Sequence, residues 1–245
     1  VAIIGCGPAG LLAAHAVARA GHEPVVYSNV VEPSPVAGGV YLHASTPGIS
    51  NGRPDGLIKF TKLGEGGVYA EKVYGDPQAR TSWQRLAQGN HPAWALRPVY
   101  EALWGLYGAA VYQLAVGQQE ARDLAAAYTL VLNSAPAHKL CENIGHKFPE
   151  RRVWYVDDAP GIVQHQHMVY NGRRSEQWFR ASRVFDVAVT EYPHEVEGAR
   201  VGRKVMQTDC TCHQRIVRIG RWGTWTPGVL LHHAYRKAEN AVHEM

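Results

Sequence analysis

What the sequence lacks narrows what it encodes. Four cysteines, Cys6, Cys141, Cys210 and Cys212, are too few and too irregularly spaced for the disulfide framework of a small secreted scaffold, so reduced thiols are expected. No apolar run approaches the roughly 20 residues of a membrane-spanning helix, which predicts no membrane partner. Charge of neither sign dominates: 25 Lys and Arg stand against 21 Asp and Glu, a net charge of +4. The cations gather only at Arg151-Arg152, Arg173-Arg174 and between Arg215 and Arg221, whereas a duplex-binding face concentrates them in a patch. A phosphate-bearing ligand suits that balance at least as well as nucleic acid, which is left open but not indicated. Internal repeats, low-complexity tracts and flexible linkers are also absent.

What remains is a globular composition, 46% hydrophobic and 19% charged over 245 residues, enough for one core or for a core shared by two lobes with a ligand cleft between them. The chain opens directly on the apolar residues of a strand, which leaves no room for a leader ahead of the fold and predicts a cytoplasmic location. Oligomeric state is not legible.

Residues 1–28 read as strand, turn, helix, strand. Val1-Ala-Ile-Ile runs into Gly5-Cys-Gly7-Pro8-Ala9-Gly10, then an apolar helix, then Gly21 as a helix stop before Val25-Val-Tyr. A Gly-X-Gly-X-X-Gly turn directly after a strand and at the mouth of a helix is the context in which that pattern binds a dinucleotide. Gly5 permits the tight turn, Gly7 keeps a side chain out of the space a pyrophosphate needs, and Gly10 lets helix and strand approach. The helix N-terminus then offers free N–H groups to the phosphates. The spacing also predicts an acidic ribose ligand at the end of the second strand. Ser28 stands there instead, with Glu32 a few residues on, so Ser28 is the expected adenosine contact through its hydroxyl.

Beyond a Pro- and Gly-rich stretch, residues 57–62 and 67–74 read as strands, 96–107 as a helix, 109–116 as a strand, 118–126 as a short helix and 128–133 as a buried strand. Residues 146–217 are mostly strand-like, and the chain turns helical again after Thr226-Pro-Gly228. The expected architecture is α/β: a discontinuous Rossmann-like dinucleotide domain from residues 1–45, 97–135 and 214–245, with a smaller β-rich substrate domain from 46–96 and 136–213.

Gly5-Cys-Gly-Pro-Ala-Gly10-Leu resembles the opening of FAD-dependent oxidoreductases of the amine oxidase and UDP-galactopyranose mutase type. The tail Gly220-Arg-Trp-Gly-Thr-Trp225-Thr-Pro-Gly228-Val229-Leu230-Leu-His-His233 resembles their second FAD-contacting segment. Gly39-Val-Tyr-Leu-His43, Leu130-Val-Leu-Asn-Ser-Ala-Pro136, Tyr170-Asn-Gly and Trp178-Phe-Arg-Ala-Ser182 are similar to small FAD-dependent oxidoreductases of bacteriophages and actinobacteria. The resemblance implies FAD as cofactor, with Gly38, Gly39 and Val40 passing the flavin and Tyr41 and His43 on the reaction face. It implies further contacts from Gly220, Trp225, Gly228, Val229, Leu230 and His233. His232-His233 falls at a helix start, where the dipole disfavours a charged imidazole and a neutral ring can bond a flavin carbonyl. Trp178, Arg180 and Ser182 alternate and are expected to share a strand face, with Arg180 clamping an anionic substrate.

Catalytic roles are therefore expected of Tyr41, His43, Arg180 and His232, in hydride removal from an amine-type or alcohol-type small molecule. A non-redox mutase or lyase reaction, extending to an amino-acid-modified phage DNA base as substrate, is the alternative. A nucleotide-binding protein without catalysis is the third. No metal is expected: Cys210-Thr-Cys212-His213 is one isolated cluster, without the two-to-four-residue cysteine spacing of structural zinc sites and without a Cys-X-X-Cys redox pair.

Overall fold

Ala2–Ile4 forms β1, wholly buried, and the chain turns at Gly5 into α1 (Pro8–Arg19). Pro8 suits the first helical turn, since the N–H it lacks would have no intrahelical partner. Every residue from Gly10 to Val17 is buried, which explains why this helix is apolar or small on all sides rather than striped. The computed structural model describes residues 1–33, 40–85, 87–208 and 210–245. Its elements continue with β2 (Val25–Ser28), β3 (Tyr41–Leu42), β4 (Gly56–Gly64), α2 (Gly66–Tyr74), α3 (Ser82–Arg85), β5 (Gly89–Ala95) and α4 (Leu96–Tyr107). Then come β6 (Val111–Gln113), α5 (Gln118–Ala127), β7 (Val131–Asn133), α6 (Ala137–Leu140), β8 (Glu150–Val156), β9 (His167–Gly172), β10 (Arg180–Val184), β11 (Val187–Tyr192) and β12 (Arg200–Val205). The chain ends with β13 (Ile216–Arg218), α7 (Gly220–Thr224) and α8 (Leu231–His243).

Two sheets divide these strands. The first is five-stranded, in the order β13-β7-β1-β2-β6, and every pairing in it is parallel. Strands are added to one side of β1 by β2 and β6 and to the other by β7 and β13, and in such sheets the ligand crevice opens at the carboxyl ends of the strands where the order reverses. Helices cover both faces. Leu11, Leu12 and Val17 of α1 pack with Leu96, Val99 and Leu103 of α4 and Ala234, Ala238 and Val242 of α8, while Ala121 and Leu124 of α5 cover Ala2, Ile4 and Val131 on the other side. Burial on both faces is why these strands read as continuous apolar runs.

The second sheet is eight-stranded, in the order β12-β8-β11-β10-β9-β4-β5-β3, antiparallel except for β4 beside β9. Its core gathers Ile58, Phe60, Met168, Tyr170 and Phe179 under Tyr69 and Val73 of α2. Several sequence expectations change here. Residues 66–74 form a helix, not a strand, because Val68, Tyr69, Ala70 and Val73 form one buried helical face. β12 has no counterpart among the expected strands, since its alternation Arg-Val-Gly-Arg-Lys-Val carries little apolar signal. Tyr41–Leu42, grouped by sequence with the dinucleotide segments, pairs instead with β5 at Tyr41↔Ala95. Among the described residues, no helix is long and apolar enough to cross a membrane.

Candidate functional site

The glycine turn sits at the end of β1, beside β7. Gly5 has φ +94°, a conformation that L side chains rarely adopt, and its N–H donates to Tyr27 O at 2.8 Å. A Cβ on Gly10 would collide with the Gly5 carbonyl, whereas nothing lies within 4 Å of the position a Cβ on Gly7 would take. Gly7 is the N-cap of α1 in an extended conformation, and no side chain caps the helix. Pro8, Ala9 and Gly10 thus open a helix that no side chain caps, as an anion site needs. Ser134 clamps the turn from β7: its Oγ lies 2.9 Å from Ile4 O and 3.2 Å from Gly5 O. Gly220 brings α7 against the same turn, where an added Cβ would lie 2.8 Å from that of Ala9. The chain's tail therefore meets its opening at the crevice.

Ser28 is where the spacing put it, at the end of β2, but it is buried and its hydroxyl is engaged within the protein. Its Oγ accepts from the Val30 N–H at 3.1 Å and lies 3.2 Å from Cys6 Sγ. It accepts both hydrogen bonds, and Glu32 is exposed nearby.

A cluster of rings joins β3 to the start of α8. Tyr41 is buried with its ring 4.4 Å from that of His43; His43 lies 6.0 Å from His232, and His232 4.2 Å from His233. Burial, then the neighbouring His91 and His233, push His43 down to about 4. Burial, His233, His43 and Arg236 bring His232 to about 4 as well. Both rings are neutral at neutral pH. His233 is structural, since its Nδ1 accepts the Leu230 N–H at 3.2 Å and so caps α8. His232 Nδ1 is buried without a hydrogen-bond partner among the described residues, and the ring borders a cavity of about 250 Å³ with Leu12, Leu42 and Tyr235. Burying an unbonded polar group costs about 1–3 kcal/mol, so that nitrogen is a polar group the fold leaves unsatisfied. Val40 is exposed, and Gly38 and Gly39 lie outside the described residues. Val229 and Leu230 are half-buried in the lead-in to α8, and Gly228, at φ +76°, packs directly against the Arg85 guanidinium.

Arg180 is not a free clamp. It sits opposite Glu191 in the β10–β11 register and is ion-paired with it, and Lys204 Nζ holds the other carboxylate oxygen at 2.9 Å. Burial alone would raise the Glu191 pKa, but the two cations keep it below the ordinary carboxylate value. Trp178 does not share Arg180's face. β10 begins only at Arg180, and Trp178 packs with Val169 and Ala181 in a different cluster. Ser182 is buried. Residues without a local sequence signature complete this region: burial pushes the Tyr74 hydroxyl up, against the pull of Arg221, Arg85 and Arg180, all close enough to be felt there. Trp225 also departs from its expected role. Its indole is 1% exposed, donates to Pro149 O at 3.0 Å and packs with His138 and Phe148.

Cys141 and His146, far away in sequence, join Cys210 and Cys212, the four ligand atoms lying within 4.8 Å of one another. His213 turns away from them to Leu140 O. The sequence offered Cys210 and Cys212 but placed no partner near them, because Cys141 and His146 come from a distant loop.

No protein-family model matches the chain, and no curated protein sequence matches it significantly. Solved structures do match over nearly its whole length. A HpxO variant from Klebsiella pneumoniae complexed with FAD is 12% identical over 98% of this chain and 78% of that one, with a TM-score of 0.52. The tetracycline destructase Tet(51) is 12% identical over 99% and 85%, with a TM-score of 0.51. A flavoprotein/dehydrogenase from Cytophaga hutchinsonii is 10% identical over 99% and 76%, with a TM-score of 0.57. The chain shares the Rossmann-type fold of such flavoproteins. At these identities the likeness is one of fold, and it does not carry the narrower amine oxidase or mutase resemblance.

Proposed function

We propose that the chain is an FAD-dependent oxidoreductase. The observation that carries this reading is the glycine turn at the reversal point of the parallel sheet, open over Gly7 and facing an uncapped helix N-terminus, in a fold shared with a flavoprotein complexed with FAD. FAD, when bound, supplies a two-electron acceptor for a hydride from carbon. This chain's residues supply the rest. Gly7 and the first turn of α1 receive the pyrophosphate, and Ser134 and Gly220 hold that turn in shape. Tyr41, His43 and His232 offer a neutral, largely buried polar wall, and the N-terminus of α8 favours partial negative charge beside it.

The substrate we infer is a neutral or anionic small molecule. Arg221 and Arg85 pull the Tyr74 hydroxyl down against burial, and the buried carboxylate of Glu191 is already neutralised by Arg180 and Lys204. A protonated amine would meet uncompensated positive charge there, so the amine-type donor implied by the resemblance has no carboxylate waiting for it. A modified DNA base has no specific support in this arrangement.

The first test is the visible spectrum of the purified protein, with release and identification of its nucleotide; colourless protein that binds NAD but not FAD in titration overturns the cofactor. The second is anaerobic reduction of the flavin by candidate donors. Reduction by neutral or anionic donors, slowed in Arg221→Ala at full flavin occupancy, is expected. Reduction by amines alone would reverse the substrate reading, and bound flavin that no donor reduces would leave a non-redox enzyme or a binding protein.

A further inference from the structure

We propose that Cys141, His146, Cys210 and Cys212 form a structural zinc site that clamps together two of the four segments by which the chain crosses between its two sheets. The geometry is that of a tetrahedron waiting to be centred. Cys141 Sγ lies 3.5 Å from Cys210 Sγ and 3.8 Å from Cys212 Sγ, and His146 Nδ1 lies 3.3 Å from Cys141 Sγ and 3.7 Å from Cys212 Sγ. A tetrahedral ion with Zn–S near 2.3 Å and Zn–N near 2.0–2.1 Å places its ligands about 3.8 Å apart for sulfur pairs and about 3.6 Å apart for sulfur and nitrogen. These four edges agree within a few tenths of an ångström, and all six lie within 4.8 Å. Three sulfurs and an imidazole nitrogen in tetrahedral array suit zinc, and four protein ligands leave no open position, so the site is structural rather than catalytic.

The surroundings are built for it. Asn143 folds the loop between Cys141 and His146 back on itself: its Oδ1 accepts the Gly145 N–H at 2.8 Å and its carbonyl accepts the His146 N–H at 3.0 Å. Three thiolates around a divalent ion leave one negative charge in excess. Arg218 meets it, with Nη2 3.1 Å from Cys210 Sγ and 2.6 Å from Cys212 O. Such outer contacts orient ligands and tune their charge. A disulfide accounts for less, since it would join two sulfurs at about 2.05 Å and leave the third sulfur and the imidazole without a role.

The location supplies the purpose. Cys141 and His146 lie where the chain leaves α6 for β8, and Cys210 and Cys212 where it returns from β12 to β13. The same two crossings are joined directly by Thr208 Oγ1 to Lys147 O at 2.7 Å and Met206 N–H to Pro149 O at 2.9 Å. A metal bound by the folded state but not by a random chain contributes its binding free energy to folding.

The test is metal analysis of the full chain, purified without added metal or chelator, followed by X-ray absorption at the zinc edge. One zinc per chain, with three sulfurs near 2.3 Å and one nitrogen near 2.0–2.1 Å, is expected. Titrating the thiols with a mercurial should release that zinc in full. Cys212→Ser should retain less than a tenth of it, and Cys6→Ser all of it. Should Cys212→Ser fail to fold, the absorption and mercurial measurements on the unaltered chain decide. Folded protein that holds no metal and takes up none from zinc solution overturns the proposal. So does bound iron, a zinc shell without sulfur, or a pair of thiols that alkylation reaches only after reduction. None of these readouts depends on the flavin.

Discussion

Gly10 lies so close under Gly5 that a Cβ added to it would sit 1.9 Å from the Gly5 carbonyl oxygen, while the same atom added to Gly7 would meet nothing within 4 Å. The two glycines therefore have separable roles. Gly10→Ala forces the turn and helix apart and should cost about 1–3 kcal/mol of stability, as overpacking does. Gly7→Val keeps an extended backbone that any residue adopts, so it should unfold at the parent's denaturant midpoint yet purify without flavin. If Gly7→Val retains full flavin occupancy, the pyrophosphate does not lie at this turn.

His43 and His232 set a pH dependence. Both are brought down to about 4 from an ordinary value of 6.5, principally by burial. Between about pH 6.5 and pH 4 the unfolded chain binds protons that the folded chain refuses. Stability should therefore rise with pH across that window and level off above it. Thermal melts at half-unit steps should give a shallower rise for His43→Gln and for His232→Gln than for the parent. Parallel profiles would mean that these rings titrate normally in the folded state.

Glu191 tests the inner face of the eight-stranded sheet. With its side chain 1% exposed between Arg180 and Lys204, Glu191→Gln leaves two cations without their counter-charge. The loss should be about 3–5 kcal/mol, the cost typical of breaking a buried pair from one side. Replacing all three together, as Arg180→Met, Glu191→Leu and Lys204→Met, should cost less than the single change, since no charge is then stranded. Urea midpoints that rank the triple variant below the single one would contradict this account.

Trp225→Phe separates packing from cofactor contact. It deletes the indole N–H bonded to Pro149 O and thins the cluster with His138 and Phe148. A buried hydrogen bond lost in this way costs about 1–3 kcal/mol. The flavin absorption maximum should not move. A shifted spectrum at unchanged stability would return Trp225 to the cofactor site.

Much of the parallel-sheet half was legible from residues close in sequence. Strand, glycine turn and helix occupy one short segment, and their chemistry is local: a φ of +94° at Gly5, a small residue at Gly10, a proline in the first helical turn. Leu96–Tyr107 was legible for the same reason, its buried Leu96, Val99, Tyr100 and Leu103 recurring at helical spacing. Residues 66–74 were not, because a short run of Val, Tyr and Ala satisfies strand and helix alike until a neighbour chooses the buried face.

By itself, then, the sequence determined the βαβ opening, the glycine turn and the α/β class, because each depends on backbone preferences and periodicities within a few residues. Tertiary structure alone decided the rest. It set Ser134 on the glycine turn, Arg85 on Gly228, Glu191 between two cations, and Cys141 and His146 beside Cys210 and Cys212. Those meetings follow from strand order and from where the chain crosses between sheets, and no local pattern reports which distant loops a sheet brings side by side.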